Sequence, residues 1–153
     1  HAGDVCGQEV LDQLASLAPV RAVYGNCDVA PLSVELPRWR TEEIGGHRIL
    51  ILHELGKPER LTAAASARIA AERPNVVISG HSHQGRIALR DGILFLNPGS
   101  AGRKRFRLLR SAALLSLAPR EAKATLFSLE SEKPVAVDHG DWSATPSAHP
   151  DQW

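Results

Sequence analysis

The sequence predicts a mixed α/β fold, either a single mixed sheet or a sandwich of two sheets that carries a few helices. Strand-like and helical segments alternate in the first half of the chain, and hairpin signals dominate the second half. A length of 153 residues, with 43% hydrophobic and 23% charged residues, suits one globular domain with a substantial core.

The first half of the chain contains four predicted elements. Residues 8–18 carry apolar side chains at helical spacing, and 20–24 are typical of a short buried strand. Two extended runs within 38–52 flank a Gly-Gly pair, which favours a two-residue hairpin turn with positive φ. The alanine-rich segment 59–73 predicts a helix that stops before Pro74.

The second half is predicted to be mainly β-structure. Residues 75–79 form an apolar strand, and 86–97 form a hairpin on an Asp-Gly turn. A further strand pair is expected at 111–117 and 123–129. The composition then changes, so the sequence predicts a domain over 1–130.

Residues 131–153 are rich in Pro, Ser and charge and lack apolar periodicity. We therefore expect a poorly ordered tail, with a little strand at 135–137.

Charge and cysteine content narrow the function classes. The formal net charge is +1, so no global field favours binding to nucleic acid or to an acidic membrane. No apolar run approaches the roughly 20 residues that span a bilayer. Cys6 and Cys27 form neither a CxxC pair nor a disulfide framework, which favours the reducing cytoplasm.

Four short motifs place metal-ligating residues after apolar strands: "HAGD" (1–4), "VYGNCD" (23–28), "ILILHE" (49–54) and "VVISGHSH" (76–83). Strand ends at one edge of a sheet meet in space, so these side chains are expected to converge. Carboxylate, amide and imidazole ligands suit Mn²⁺, Fe²⁺ or Zn²⁺. Alone, each motif also fits an ordinary turn or a rim histidine, and the prediction depends on their joint occurrence. The candidate ligands are Asp4, Asn26, His53, His81 and His83.

These motifs, together with "NPGS" at 97–100, resemble the calcineurin-like metallophosphoesterase superfamily, and within it the small prokaryotic phosphodiesterase branch. The resemblance runs from His1 to about Glu130. It implies a two-sheet α/β sandwich and hydrolysis of phosphodiester bonds, or of phosphomonoester bonds, by a two-metal site with a bridging hydroxide. It implies two divalent ions, with Mn²⁺ first and Fe²⁺, Zn²⁺, Ni²⁺ or Mg²⁺ as alternatives.

The resemblance also implies a role for each ligand. Asp4 would bridge both metals, and Asn26, His53 and His81 would complete the shell of one of them. His83 would bind the other metal. The expected partner is therefore a small phosphodiester, and neither a membrane nor nucleic acid is expected.

Three further residues carry expected roles beside the metals. Asn26 and Asp28 are the expected catalytic residues, with Asp28 also able to act by orienting a ligand. Asn26 and Arg103 are expected to bind the substrate phosphate, Arg103 by steering an anion from the basic run 102–110. Other branches of the superfamily have a histidine where this chain has Cys27, so the acid for the leaving group stays open. Glu54 stands where the family usually has glycine, which narrows the expected substrate range.

One motif of the family is absent from the sequence, because the chain begins at the second motif and lacks the Asp-x-His of the first. The resemblance therefore implies that the first strand is missing and that one metal shell is incomplete. The alternative hypothesis is a catalytically impaired scaffold or interaction protein on the same fold. A missing strand would also expose a sheet edge, which favours a homo-oligomer.

Overall fold

The computed structural model describes residues 1–104 and 107–143, which form a layered α/β structure. A five-stranded mixed sheet packs against a helix on one face and against a three-stranded antiparallel sheet on the other. In chain order the elements are α1 (Gln8–Ala15), α2 (Leu32–Glu35), β1 (Trp39–Ile44), β2 (His47–Leu52), β3 (Gly56–Lys57), β4 (Arg60–Leu61), α3 (Ala63–Glu72), β5 (Val76–Ser79), β6 (Arg86–Arg90), β7 (Ile93–Asn97), β8 (Ser111–Ala118), β9 (Glu121–Ser128) and β10 (Val135–Ser143). The predicted mixed α/β sandwich is confirmed.

The five-stranded sheet has the strand order β1-β2-β5-β7-β6. Its three central strands run parallel, and the two outer strands pair antiparallel with their neighbours. Both predicted hairpins are present, because the residues at their turns accept a left-handed backbone: Gly45 and Gly46 have φ of 61° and 83°, and Asp91 and Gly92 have φ of 50° and 74°. The parallel centre directs the ends of β2, β5 and β7 to one edge.

The core has two compartments, one on each face of the five-stranded sheet. Ile49 and Ile51 of β2 pack with β9 residues such as Leu126, whereas Leu50 and Leu52 pack with Ala65 of α3. Because β2 is covered on both faces, its sequence is almost continuously apolar instead of alternating. A third cluster holds α1 and α2 against the N-terminal segment.

The helix predicted at 8–18 begins as expected at Gln8, whereas the one predicted at 59–73 is shorter, because Arg60–Leu61 form β4 and α3 begins at Ala63. The hydroxyl of Thr62 accepts a hydrogen bond from the backbone N–H of Ala65 at 3.2 Å and caps α3. Arg73 then ends α3 in the left-handed conformation, with φ of 48°. In the described part of the chain, no helix is long and apolar enough to cross a membrane.

The structure also differs from the sequence predictions at the short helix α2, which was not predicted, and at two further places. The segment 20–24 is not a strand, because it makes only an isolated bridge between Ala2 and Val23. The predicted tail also contains a full strand: β10 pairs along β9 from Val135 to Ser143 and completes the smaller sheet. The strand lies at one edge of that sheet, beside β9. Residues 144–153 of the tail lie outside the described residues.

Candidate metal centre

The candidate centre forms where two neighbouring parallel strands end. The register of β2 and β5 pairs Leu52 with Ser79, so the residues that follow each strand emerge side by side. The backbone N–H of Gly80 donates to the carbonyl of His53 at 3.0 Å and joins the two loops. The bridge between Ala2 and Val23 brings the two N-terminal motifs to the same edge.

Four of the five predicted ligands come together at this edge. The Nε2 atom of His53 lies 2.9 Å from Oδ1 of Asn26 and 3.4 Å from Oδ1 of Asp4. The Nδ1 atom of His81 lies 3.0 Å from Oδ1 of Asn26 and 3.3 Å from Nε2 of His53. The two imidazoles are nearly perpendicular, at 84°, so their nitrogens approach one point from different directions.

The position of the proton on the His53 ring indicates whether this cluster suits a cation. Its Nδ1 atom lies 2.7 Å from the carbonyl oxygen of Ala2, which can only accept, so Nδ1 carries the proton. In the neutral ring the lone pair of Nε2 then points towards the oxygens of Asn26 and Asp4. Electron pairs that face one another in this way repel unless a proton or a metal ion lies between them. The donor set therefore fits one borderline divalent ion.

The amide of Asn26 is essential to this set. Within residues 1–104 and 107–143, no group of three or more His, Cys, Asp or Glu side chains is arranged to hold a metal. The set reaches four donors only because the amide oxygen of Asn26 faces the histidines, while its nitrogen donates to the Cys27 sulfur at 3.5 Å. Asn26 is also the exposed member nearest the cleft described below.

Close backbone approach at this edge requires glycine. A Cβ atom at Gly3 would lie 2.6 Å from Nδ1 of His53, and one at Gly25 would lie 2.8 Å from Cε1 of the same ring. At Gly25 it would also collide with the carboxylate of Asp4. Since real Cβ atoms do not approach so closely, a larger residue would displace the ligands.

The ligand loops also carry backbone strain. Asp4, His81 and His83 adopt left-handed backbone angles, with φ of 55°, 65° and 57°. Residues other than glycine seldom adopt this region, although Asp and His do so more often than most, and such residues cluster at functional sites as well as at turns. The surrounding contacts must therefore hold these side chains in place.

Asp28 supplies several of those contacts. It is buried, with 7% of its surface exposed, and its two oxygens accept hydrogen bonds from the backbone N–H groups of Cys6 and Gly25, each at 2.8 Å. It thus ties the loop of Asp4 to the loop of Asn26. This geometry supports a positioning role, and the predicted catalytic role stays a prediction.

The other two predicted site residues lie in the loops that follow β5 and β7. His83 lines a cavity of about 300 Å³ together with Arg107, Leu126 and Asp138. None of the four clustered ligands lines this cavity. Arg103 is exposed in the loop that follows β7. The structure therefore assembles donors for one ion from the described residues, and the second-ion role of His83 and the substrate role of Arg103 stay predictions.

Sequence reasoning missed two parts of the site. The carbonyl of Ala2 orients His53, and a backbone atom leaves no signal in a sequence. The amide of Asn97 donates to the carbonyl of Gly80 at 2.7 Å and to the hydroxyl of Ser82 at 3.1 Å. Asn97 therefore braces the loop that carries His81, and its position as the first residue of "NPGS" was the available signal.

A cleft of about 680 Å³ opens beside the cluster. Asn26 and His53 lie at one side of it, and β1 and α3 provide the opposite walls. The residues that line it include Arg38, Trp39, Glu54 and Arg68. The site is thus accessible to a ligand larger than a single phosphate group.

Comparison with known proteins agrees with this architecture. The calcineurin-like phosphoesterase superfamily domain matches residues 1–120. A probable metallophosphoesterase of Methanothermobacter thermautotrophicus is 37% identical over 100 residues, which cover 65% of this chain and 58% of that protein. The chain thus spans little more than half the length of this curated relative.

Two solved structures share the fold. Vps29 of Entamoeba histolytica complexed with zinc superposes with a TM-score of 0.73 at 25% identity, covering 92% of this chain and 79% of that one. A structure described as a novel archaeal phosphodiesterase superposes with a TM-score of 0.57 at 19% identity, covering 90% of this chain and 79% of that one.

Proposed function

This chain belongs to the calcineurin-like phosphoesterase superfamily, and we propose that it forms the metal-binding part of an enzyme that hydrolyses phosphodiesters. The coarser activity, phosphoester hydrolysis in general, follows from the family and from the probable metallophosphoesterase it matches. The preference for diesters over monoesters is part of the proposal, in line with the phosphodiesterase of the same fold.

The convergence of electron-pair donors around Nε2 of His53 carries this proposal. Nε2 of His53 faces the oxygens of Asn26 and Asp4, and Nδ1 of His81, an imidazole nitrogen that can itself bind a metal, lies 3.3 Å from it. A bound divalent ion would neutralise phosphoryl charge and lower the pKa of a water beside it. Asp4, Asn26, His53 and His81 would hold this ion.

The chain's own residues then have separate tasks. Asp4 is held by the backbone N–H of Cys27, which donates to its Oδ1 atom at 2.8 Å. The amide nitrogen of Asn26 is available at the exposed side of the cluster to donate to a phosphoryl oxygen. Asp28 keeps both loops in register, and Arg103 attracts the anionic substrate from outside the cluster.

The full proposal contains two ions, with Asp4 shared between them and His83 bound to the second. Mn²⁺ is our first choice, because mixed oxygen and imidazole ligands do not select the softer metals. The cytoplasm is the compartment we propose, since the two cysteines, Cys6 and Cys27, form neither a CxxC pair nor a disulfide framework.

A metal titration with turnover tests the proposal. The chain is stripped with a chelator and titrated with Mn²⁺, while the bound ions per chain and the hydrolysis of bis-p-nitrophenyl phosphate are recorded. We expect at least one ion, with binding weakened roughly 100-fold by His81→Ala. The matched control is His83→Ala, which should leave the first ion in place and remove the second.

A partner-binding scaffold on the same fold is the second candidate, favoured by the position of His83 in a cavity that none of the other four ligands lines. It predicts one ion or none, and no turnover by the chain, even with Mn²⁺ in excess. An N-terminally extended chain in the same assay separates the two candidates, because turnover that appears on extension would support the enzyme. An extended chain that does not hydrolyse the phosphodiester would support the scaffold.

A further inference from the structure

We propose that the cleft beside the metal centre binds a planar aromatic ring of the substrate, with Trp39 and Arg68 as the stacking platform. The proposal rests on the phosphodiesterase function above and adds the kind of ester group that the site selects.

The strand register places Trp39 next to the centre. Trp39 is the Cα partner of Leu52, the residue before His53, in the antiparallel pair of β1 and β2. Directly opposed residues share a face of the sheet, so Trp39 lies on the face that Leu52 presents to α3. The cleft runs continuously from Asn26 and His53 to this indole.

The guanidinium of Arg68 lies over the indole of Trp39 and is held in place. The guanidinium carbon of Arg68 lies 3.7 Å from the centroid of the Trp39 ring. Arg68 is fixed in turn by Glu72, whose carboxylate accepts from it at 3.1 Å, and this hydrogen bond holds the pKa of Glu72 below its usual range. A guanidinium plane stacked on an indole presents a π-surface and a cation together, which favours aromatic groups.

The facing wall leaves room for a ring. Ala64, Ala67 and Ala71 lie at helical spacing on the face of α3 that also carries Arg68, and all three line the cleft. Their small side chains keep Trp39 accessible, with 38% of its surface exposed. A volume of about 680 Å³ is ample for a phosphoester with one ring attached.

The charged residues of the cleft agree with such an ester. Arg38 adds an exposed cation to the half-buried Arg68, which suits the negative charge of a diester. Glu54 is exposed at the same wall and can accept hydrogen bonds from hydroxyl groups of a sugar. The ring could therefore come from a nucleobase or from a simple aryl ester.

Calorimetric binding to the full chain in Mn²⁺ tests the proposal without turnover. The probes are adenosine 5′-monophosphate, phenyl phosphate and ribose 5-phosphate, together with the phosphate-free pair adenosine and ribose. We expect adenosine 5′-monophosphate to bind about tenfold more tightly than ribose 5-phosphate, and adenosine about tenfold more tightly than ribose. Trp39→Leu should abolish this ratio, Trp39→Phe should restore most of it, and Val34→Ala on an exposed part of α2 should leave it unchanged.

Arg68→Lys separates stacking from charge, because lysine keeps the charge but loses the plane. We expect the preference for rings to fall in this variant too. Equal binding of ring-bearing and ringless probes by the unmodified chain would overturn the proposal, as would a ratio that survives Trp39→Leu.

The same data distinguish failure of the proposed function. If phosphate-bearing probes bind no better than adenosine while the preference for rings persists, the phosphoester site fails and the ring site stands. Tighter binding of adenosine 5′-monophosphate than of phenyl phosphate would identify a nucleobase as the ring, and equal binding would identify any aryl group.

Discussion

Replacing Asp28 by asparagine removes the charge that joins the two N-terminal ligand loops while keeping the shape of the side chain. The carboxylate accepts from the N–H groups of Cys6 and Gly25 at 2.8 Å, and it is buried. In the variant, one oxygen keeps a neutral and weaker hydrogen bond. The amide NH₂ group replaces the other oxygen and faces a backbone N–H, so that backbone donor loses its acceptor.

The magnitude follows from these two bonds. A hydrogen bond to a charged group contributes about 1.5–3 kcal/mol, and a buried donor without a partner costs about 1–3 kcal/mol. One lost bond and one weakened bond therefore predict a loss of about 2–4 kcal/mol in the free energy of unfolding. For a chain of this length, this corresponds to a fall in Tm of roughly 5–15 °C.

Thermal and urea unfolding of Asp28→Asn measure this loss, with Asp12→Asn as the matched control. Asp12 is exposed on α1 and accepts only from the side chain of Gln8, so its variant should stay within about 0.5 kcal/mol of the unmodified chain. We also expect Mn²⁺ to bind Asp28→Asn about tenfold more weakly. If Asp28→Asn has the same free energy of unfolding as Asp12→Asn but no longer hydrolyses substrate, Asp28 is catalytic and the positioning argument is wrong.

Three further outcomes are expected. Gly25→Ala should weaken Mn²⁺ binding roughly 10- to 100-fold, because the added Cβ would lie 2.8 Å from the His53 ring. Gly102→Ala, whose Cβ would make an ordinary contact with Oγ of Ser100 at 3.9 Å, should bind Mn²⁺ normally in the same titration. His47→Leu should lower the free energy of unfolding in urea by about 2–3 kcal/mol, because the fully buried ring donates a hydrogen bond to the carbonyl of Ala118 at 2.8 Å. An unchanged free energy of unfolding would mean that this hydrogen bond contributes nothing. Mn²⁺ at about 100 times its Kd should stabilise the chelator-treated chain by about 2.7 kcal/mol, which is measured as a higher Tm. A Tm that does not change on addition of Mn²⁺ would contradict a metal site in the folded state.

Local patterns predicted most of the fold. The Gly-Gly and Asp-Gly turns identified both hairpins, since positive φ at two successive positions is a property of those residues themselves. The prediction of a strand at 20–24 was wrong. Apolar residues alone do not make a strand, because a strand needs a neighbouring strand for its hydrogen bonds. Here Val23 makes only an isolated bridge with Ala2.

The candidate site was predictable as a set of residues and less so as an arrangement. Asp4, Asn26, His53 and His81 follow apolar segments, and the parallel centre of the sheet brings them together, as expected. His83 lies only two positions beyond His81, yet it lines a different cavity. The path of a loop after a strand depends on contacts from elsewhere, such as those of Asn97 with this loop.

By itself, the sequence determined the fold class, the hairpins and the residues able to bind a metal, because each depends on the chemistry of a few neighbouring positions. Only the tertiary structure decided that the lone pair of His53 faces two oxygens, that Asp28 ties two loops together, and that Trp39 stands beside the centre. These depend on strand register and on backbone groups far apart in the chain. Such long-range pairings come from the packing of the whole domain, and no local pattern encodes them.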